Sequence, residues 1–290
     1  MMTANEHYKS VFGCKMYKAS ISFAKTCPNR DGTKGTCGCI FCSAGGSGEF
    51  ASPAGLNITE QIDEAISKVE KKAGPGAGYI AYFQSFTNTY CDPDDLAAAM
   101  DEASAHPKIK ALSIATRPDC LPEGIMKVIS ERASKIPVYI ELGLQTSNDQ
   151  TAKLINRCYE TKEYDDAVKR LKDSGVNVIT HVIFGLPEET VDQMLETVRH
   201  CVNIGTDGIK FTCLYVLKGT ELEKMWRSGA FEVLGQEEYF DIVGKALELL
   251  PQHTVVHRLT GDGPKSLLLA PLWTKDKRSV INYINRRFSL

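Results

Sequence analysis

Four cysteines stand close together in the stretch TCPNRDGTKGTCGCIFC, which runs from Thr26 to Cys42. Cys39 and Cys42 form a C-x2-C pair, and eleven residues separate Cys27 from this pair, while Cys37 is the fourth. A C-x2-C pair places two thiolates on one tight turn, from which both reach the same metal ion or cluster. The spacing predicts a metal or cluster site, and a disulfide staple is the alternative.

The cellular compartment of the protein indicates whether the clustered cysteines are thiolate ligands or form a disulfide. The chain starts with MMTANEHYKSVFGCKMYKAS, which is polar and lacks the apolar run of a signal peptide. No later stretch approaches the roughly 18 uninterrupted apolar residues of a membrane span. These features predict a cytoplasmic protein without a membrane partner. Cytosolic thiols are kept reduced, so the clustered cysteines are interpreted as metal ligands or catalysts.

Two kinds of metal site remain open for the cysteine loop. A structural zinc site usually takes four thiolates from two C-x2-C knuckles, and the second knuckle is missing here, which places zinc second. An iron-sulfur cluster also binds cysteine thiolates. A [4Fe-4S] cluster held by only three of them keeps one iron open to another ligand.

The composition fits a globular protein of one or two domains. The chain has 290 residues, of which 43% are hydrophobic, so it has ample material for a buried core. Its formal net charge of -2 argues against a protein that binds nucleic acid over its whole surface. A local basic patch is still compatible with that charge.

Short β-branched runs alternate with amphipathic helical stretches along most of the chain, which is typical of a parallel sheet covered by helices. The pattern predicts six strand-helix units. The predicted strands are SISFA from Ser20, GYIAYFQ from Gly78, ALSIATR from Ala111, PVYIELGLQT from Pro137, GVNVITHVIFGLP from Gly175 and DGIKFTCLYVL from Asp207.

Six consecutive units predict an α/β fold with an incomplete (β/α)6 TIM-like barrel. The alternation of strand and helix patterns ends after the sixth unit, so residues 1–230 are assigned to the barrel and residues 231–290 to a C-terminal α/β extension. The cysteine loop directly follows the first strand. Loops after barrel strands form the mouth where active sites lie, so the cysteines are expected there.

The segment CPNRDGTKGTCGCIFCS resembles the radical S-adenosylmethionine (SAM) enzymes. It is most similar to the bacterial branch related to the Elongator catalytic subunit and to oxygen-independent coproporphyrinogen dehydrogenase. The resemblance implies that Cys27, Cys39 and Cys42 bind a [4Fe-4S] cluster, whose fourth iron takes the amino and carboxylate groups of SAM. Cys37 stands where this branch usually has glycine, and it is interpreted as a small residue rather than a fourth ligand.

Further motifs follow in strand order and imply residues that bind SAM. They are found in AYFQSFTNTY, SIATRPDCL, ELGLQT with the following SNDQTAKLINR, and HVIFGLPEET. The cofactor-binding residues implied by the resemblance are Gln84, Arg117, Gln145, Arg157 and Gly185. An arginine suits the methionyl carboxylate because its planar fork binds both oxygens, and glycine lets the backbone approach a ligand.

The same resemblance implies the chemistry. One electron from the reduced cluster cleaves SAM, and the 5′-deoxyadenosyl radical abstracts hydrogen from an unreactive C–H bond, with an external electron donor such as flavodoxin or ferredoxin. No residue is assigned as catalytic. Glu141 and Gln145 share one face of a strand, which favours the barrel interior. His181 is interpreted as a core histidine.

The C-terminal TKDKRSVINYINRRF combines basic and aromatic residues. Such a patch is compatible with binding an RNA backbone and stacking on bases, and equally with a solvated amphipathic helix. Relatives of the Elongator subunit act on the wobble uridine of tRNA, so the resemblance implies wobble-uridine side-chain modification, of the type that converts 5-carboxymethylaminomethyluridine to 5-aminomethyluridine. The alternatives are a radical SAM enzyme with a small-molecule or porphyrin-like substrate, and a non-catalytic zinc-binding protein.

Overall fold

The computed structural model describes residues 1–46, 48–49, 51–52 and 55–288. Its strands are β1 (Met2–Thr3), β2 (Met16–Ile21), β3 (Gly78–Phe83), β4 (Ile109–Thr116), β5 (Val138–Gln145), β6 (Asn177–Phe184), β7 (Gly208–Cys213), β8 (Val216–Leu217), β9 (Val255–Arg258) and β10 (Leu268–Ala270). Its helices are α1 (Ala4–Phe12), α2 (Ile58–Ala73), α3 (Pro93–Ala105), α4 (Glu123–Ala133), α5 (Asp149–Leu154), α6 (Thr161–Asp173), α7 (Val191–Ile204), α8 (Glu221–Arg227), α9 (Gln236–Glu248) and α10 (Lys277–Phe288).

Eight strands form one parallel sheet in the order β1-β9-β7-β6-β5-β4-β3-β2. Strands β8 and β10 form a separate antiparallel pair. The six predicted strand-helix units correspond to β2 through β7, each followed by at least one helix. The predicted incomplete α/β barrel is therefore confirmed.

The core lies between the sheet and the helices on its outer face. Helix α2 shows why these stretches fold as they do: Ile62, Ala65 and Ile66 recur at helical spacing, and all three are buried against the sheet. Full burial of one such isoleucine contributes about 1.5–3 kcal/mol. Strands β3 and β7 are buried over their whole length, as expected for strands covered on both faces.

Helix α1 closes one end of the half-barrel. Its Tyr8 packs with Ile80, Ala111, Tyr139 and Ile179, which all lie near the amino-terminal ends of their strands. The interior is therefore filled at that end, and space remains at the carboxyl ends. Among the described residues, no helix is long and apolar enough to span a membrane.

The first barrel strand occupies Met16–Ile21, whereas the sequence pattern placed it from Ser20. The strand begins earlier because Met16–Ile21 pair in parallel with Gly78–Phe83. It ends at Ile21 because the backbone amide of Ser22 donates to the side chain of Gln61 at 2.7 Å. The residues after Ile21 therefore leave the sheet and enter the cysteine loop.

Two of the elements absent from the sequence interpretation, α6 and β9, extend the predicted barrel. Helix α6 follows α5 as the longer helix after β5, and its buried residues have clear helical spacing: Tyr164, Ala167, Val168 and Leu171. Strand β9, from the segment after residue 230, pairs in parallel with β7 and so widens the main sheet. Residues on β9 consequently reach the barrel interior.

Candidate active site

Cys27, Cys39 and Cys42 line one cavity of about 410 Å³. The loop between β2 and α2 carries all three and turns back on itself, because the amide of Arg30 donates to the carbonyl of Cys27 at 2.8 Å. A second turn closes the C-x2-C pair, with the amide of Cys42 donating to the carbonyl of Cys39 at 3.0 Å. The cavity also borders the carboxyl ends of β3 to β7 and β9, so it lies at the predicted mouth of the barrel.

Hydrogen bonds from both sides hold the cysteine loop in place. The guanidinium of Arg30 donates to the carbonyl of Cys42 at 3.1 Å, and the side-chain amide of Asn156 donates to the carbonyl of Gly38 at 2.7 Å. Gly38 has a φ of 76°, and a Cβ there would approach the Nε atom of Arg30 to 2.9 Å. Glycine is thus required directly before Cys39 for this turn to form.

The surroundings of Cys39 oppose ionisation of its thiol. Burial raises the pKa of the Cys39 thiol to about 12, and the neighbouring Cys42 raises it further, while Arg117 opposes the shift. The side-chain amide of Asn29 lies 3.6 Å from its sulfur. A thiol of this kind is protonated when alone, whereas coordination to a metal deprotonates it.

Cys37 differs from the other three cysteines of the loop. Its side chain is exposed and its sulfur lies 3.7 Å from the hydroxyl of Thr36, outside the lining of the cavity. All ten cysteines fall in the described residues, and none of them forms a disulfide. No group of three His, Cys, Asp or Glu side chains in the described ranges is arranged to hold a single metal ion.

Gln84, Arg117 and Gln145 line the same cavity as the three thiols. Arg117 is already bound at its fork, since its Nε and Nη2 atoms donate to the two carboxylate oxygens of Asp119, both at 2.9 Å. Burial opposes ionisation of Asp119, but hydrogen bonds and charge from Arg117 and Lys34 keep the pKa of its carboxyl below the usual range. Arg117 therefore presents a positive charge to the cavity from a fixed position.

Gln145 has left-handed backbone geometry at the end of β5, with a φ of 65°. The hydroxyl of Tyr159 donates to its Oε1 atom at 3.3 Å. Arg157 donates from Nη1 to the carbonyls of Leu144 and Thr146, the two residues that flank Gln145, at 2.7 and 2.5 Å. These bonds fix the strand end so that the Gln145 side chain reaches the cavity.

The structure does not bring Arg157 and Gly185 to the cavity lining. Arg157 is fully buried, and its Nε and Nη2 atoms donate to the carbonyl of Tyr159, the carboxylate of Asp149 and the hydroxyl of Thr161. With Nη1 also engaged, every nitrogen of its guanidinium has a protein acceptor. Gly185 packs instead beside Leu234, whose Cδ1 atom a Cβ would approach to 2.9 Å. Direct cofactor contacts of these two residues stay a prediction.

The sequence analysis missed a polar cluster around Glu141, inside the barrel. Glu141 is buried and accepts hydrogen bonds from Lys18 on β2, Lys210 on β7, Ser113 at 2.8 Å and His181 at 2.9 Å. Burial opposes ionisation, but the two lysines hold the pKa of the Glu141 carboxyl well below its usual range.

Burial is also the main reason that the pKa of His181 falls to about 4, so this imidazole is neutral at pH 7. The available signal for the cluster was a lysine inside each of two apolar strands, in MYKASI and GIKFTC.

A parallel half-barrel with three thiols at its mouth and a polar interior defines a class of cofactor-dependent α/β enzymes. The family model of the Radical SAM superfamily matches residues 21–201, and that of the Radical_SAM C-terminal domain matches residues 206–289. The chain belongs to the radical SAM superfamily and is a radical SAM enzyme. The cofactors of the superfamily are a [4Fe-4S] cluster and SAM.

Relatives and solved structures agree with this assignment. The chain is 39% identical over 284 residues to the protein YtqA of Bacillus subtilis strain 168, covering 98% of this chain and 88% of that protein. It is 28% identical over 177 residues to the tRNA uridine(34) acetyltransferase of Methanocaldococcus infernus, covering 60% of this chain and 32% of that protein.

The solved structure of Methanocaldococcus infernus Elp3, with an N-terminal deletion, matches with a TM-score of 0.68 at 19% identity. That match covers 94% of this chain and 63% of the Elp3 chain, and it supports the fold.

Proposed function

We propose that Cys27, Cys39 and Cys42 hold the [4Fe-4S] cluster and that Gln84, Arg117 and Gln145 bind SAM beside it. The observation that carries this proposal is that all six side chains line one cavity at the carboxyl ends of the strands. The donor set fits the group, since three thiols from one loop leave one iron available for SAM. When bound, the cluster and SAM together supply a radical that removes hydrogen from a substrate C–H bond.

The chain's own residues would prepare this site in three ways. Asp119 keeps the Arg117 guanidinium in place, Arg157 fixes the backbone on both sides of Gln145, and Arg30 holds the cysteine loop by its carbonyls. Helix α1, which closes the barrel at the amino-terminal ends of the strands, would exclude water from the reacting atoms. An external donor such as flavodoxin or ferredoxin would supply the electron in the cytoplasm.

For the substrate, we propose the side chain of the tRNA wobble uridine, in a conversion of the 5-carboxymethylaminomethyl to 5-aminomethyl type. Similarity to a protein named tRNA uridine(34) acetyltransferase supports this choice over 60% of the chain. We assign the partial barrel with its cysteine loop to residues 1–230, and the extension 231–290 adds β9 to its sheet. We assign tRNA contact to this extension, whose last helix α10 carries a polar and basic outer face.

The outer face of α10 is defined by a shallow groove between Ser279, Asn282, Asn285 and Arg286. Arg287 points the other way and pairs with Glu237 at 3.2 Å and with Asp241. Tyr283 packs on Phe240 with ring centroids 5.0 Å apart, so its ring belongs to the contact with α9. Arg286, rather than Arg287, is therefore the residue suited to a phosphate.

The cofactor proposal is tested by anaerobic reconstitution of the purified chain with iron and sulfide. About four irons per chain and release of 5′-deoxyadenosine after reduction are expected. Alanine at Cys27, Cys39 or Cys42 should abolish the cluster absorbance, whereas Cys37→Gly is the matched control and should retain it. A single zinc that is stable in air, or loss of the cluster in Cys37→Gly, would contradict the proposal.

The substrate proposal is tested separately by nucleoside analysis of tRNA from cells that lack the protein. Wobble uridines that keep the carboxymethylaminomethyl group are expected, and complementation with the wild-type chain should restore the aminomethyl form. Unchanged wobble uridines would remove the tRNA claim and leave the radical chemistry standing.

A further inference from the structure

Three neighbouring strands place basic side chains in one row across the barrel interior. His181 on β6 pairs in register with Lys210 on β7, and Lys210 pairs in register with Arg258 on β9. His181 and Arg258 both line the cavity, and the Lys210 ammonium pairs with Glu141. Positively charged side chains on adjacent strands, such as Lys210 and Arg258, repel each other unless an anion lies between them.

Lys210 pairs with an anion, whereas Arg258 has no anionic partner among the described residues. Glu141 accepts from Lys210 and from Lys18, so its single negative charge is shared by two lysines. Arg258 donates from Nη2 to the hydroxyl of Thr212, which carries no charge. Its Nε atom is buried and has no acceptor among the described residues. A buried donor without an acceptor costs about 1–3 kcal/mol, which a ligand oxygen would recover.

The other arginines that line the cavity are already engaged. Arg117 is bound at its fork by Asp119, and Arg30 donates to backbone carbonyls of the cysteine loop. Within the described part of the chain, Arg258 is the cavity arginine with a buried Nε–H that has no acceptor. Arg258 lies on β9, which is next to β7 in the sheet, whereas the cysteine loop follows β2, the strand at the far edge of the sheet.

We propose that Arg258, supported by Thr212, binds a carboxylate of the substrate inside the barrel. A guanidinium presents parallel N–H groups that match the two oxygens of a planar carboxylate, and Nη2 of Arg258 keeps one hydrogen besides the one donated to Thr212. A phosphate has further charged oxygens, and the neighbouring lysines that would meet them are engaged by Glu141. The substrate group would then be held across the cavity from the three thiols.

This inference rests on the proposed function in one respect, namely that the cavity receives the substrate as well as SAM. It names the chemical class of that substrate, which includes the carboxymethylaminomethyl side chain proposed above. SAM also carries a carboxylate, so the test must be made with the SAM site already filled.

The experiment uses the reconstituted protein with its cluster and saturating SAM, and it measures the rise in Tm with added probe. The probes are N-acetylglycine, its neutral amide N-acetylglycinamide, and inorganic phosphate. N-acetylglycine should stabilise the wild-type protein in a saturable way, and the amide should not. Arg258→Gln should weaken the apparent affinity for N-acetylglycine at least tenfold, while Arg199→Gln, an exposed arginine far from the cavity, should leave it unchanged.

Arg258→Lys covers the case in which Arg258→Gln does not fold, because it keeps the charge and removes the paired N–H edge. It should also weaken binding of N-acetylglycine, by less than Arg258→Gln. Equal binding of acid and amide, unchanged affinity in Arg258→Lys, or tighter binding of phosphate than of N-acetylglycine would overturn the inference. None of these results depends on tRNA, so unchanged wobble uridines beside intact carboxylate binding would remove the tRNA claim alone.

Discussion

Lys18, on the edge strand β2, donates a hydrogen bond across the half-barrel to Glu141 on β5, three strands away. Lys210 reaches the same carboxylate from β7 on the other side. A single buried carboxylate therefore connects both halves of the sheet through its interior. Strands that are not neighbours are joined in this way without a backbone ladder between them.

Loss of the Glu141 charge should destabilise the whole barrel. Glu141→Gln leaves two ammonium groups near a buried neutral amide, and removing one partner of a buried ion pair costs about 3–5 kcal/mol. Urea denaturation at pH 7 should show this loss in the free energy of unfolding. Glu196→Gln removes an exposed glutamate that pairs with Arg199 at 3.1 Å, and its denaturation midpoint should match the wild type. Equal midpoints for both variants would show that Glu141 is not needed for stability.

The strand and helix pattern predicted the barrel because burial on both faces of a parallel strand leaves a clear apolar run. The resemblance likewise implied which three thiols would meet, and the structure brings Cys27, Cys39 and Cys42 to one cavity. These features depend on neighbours in sequence. They are therefore visible before the chain is folded.

The interior cluster depends on contacts between distant strands, which no local sequence pattern indicates. Lys18 and Glu141 are 123 residues apart, and the role of each is defined only by the other. Arg157 is a second residue whose contacts appear only in the folded chain. The resemblance implied that it binds the cofactor, and in the structure its guanidinium donates to carbonyl and side-chain acceptors of the protein. Register and burial, which the sequence does not specify locally, decide such cases.

Arg157 should affect SAM binding through Gln145. Arg157→Lys cannot hold the carbonyls of Leu144 and Thr146 together, so the left-handed turn at Gln145 should relax. We expect SAM affinity to fall about tenfold in Arg157→Lys and in Gln145→Ala, with no further loss in the double variant. Equilibrium binding of SAM to the reconstituted proteins measures this. Additive losses would instead indicate that Arg157 contacts SAM directly.

Glu189 should make stability depend on pH. Burial raises the pKa of its carboxyl to about 7, although a hydrogen bond from Thr146 opposes the shift. Between the usual value near 4.5 and about 7, the folded protein retains a proton that the unfolded chain has lost. The free energy of unfolding therefore falls as the pH rises through this window.

Glu189→Gln should remove that dependence and be more stable than the wild type at pH 8, by about 1–3 kcal/mol. Urea denaturation at pH 5 and pH 8 measures the difference, with Glu188→Gln, an exposed neighbour, as the control for charge. The wild type and the Glu188 variant should lose stability between the two values. A Glu189 variant with the same loss would show that its carboxyl is ionised throughout.

The two adjacent arginines near the end of α10 should separate tRNA binding from stability. Arg286 borders the outer groove, and no ion pair of its side chain is found within residues 55–288, whereas Arg287 is tied to Glu237 and Asp241 of α9. Arg286→Ala should weaken tRNA binding and reduce the slope of log K against log salt by about 1, with Tm unchanged. Arg287→Ala should lower Tm and keep the salt slope of the wild type.

Binding titrations at several salt concentrations and thermal unfolding of both variants measure these effects. Equal salt slopes in the two variants would contradict a phosphate contact at Arg286, and the absence of salt-dependent tRNA binding by the wild type would contradict the basic face as a whole.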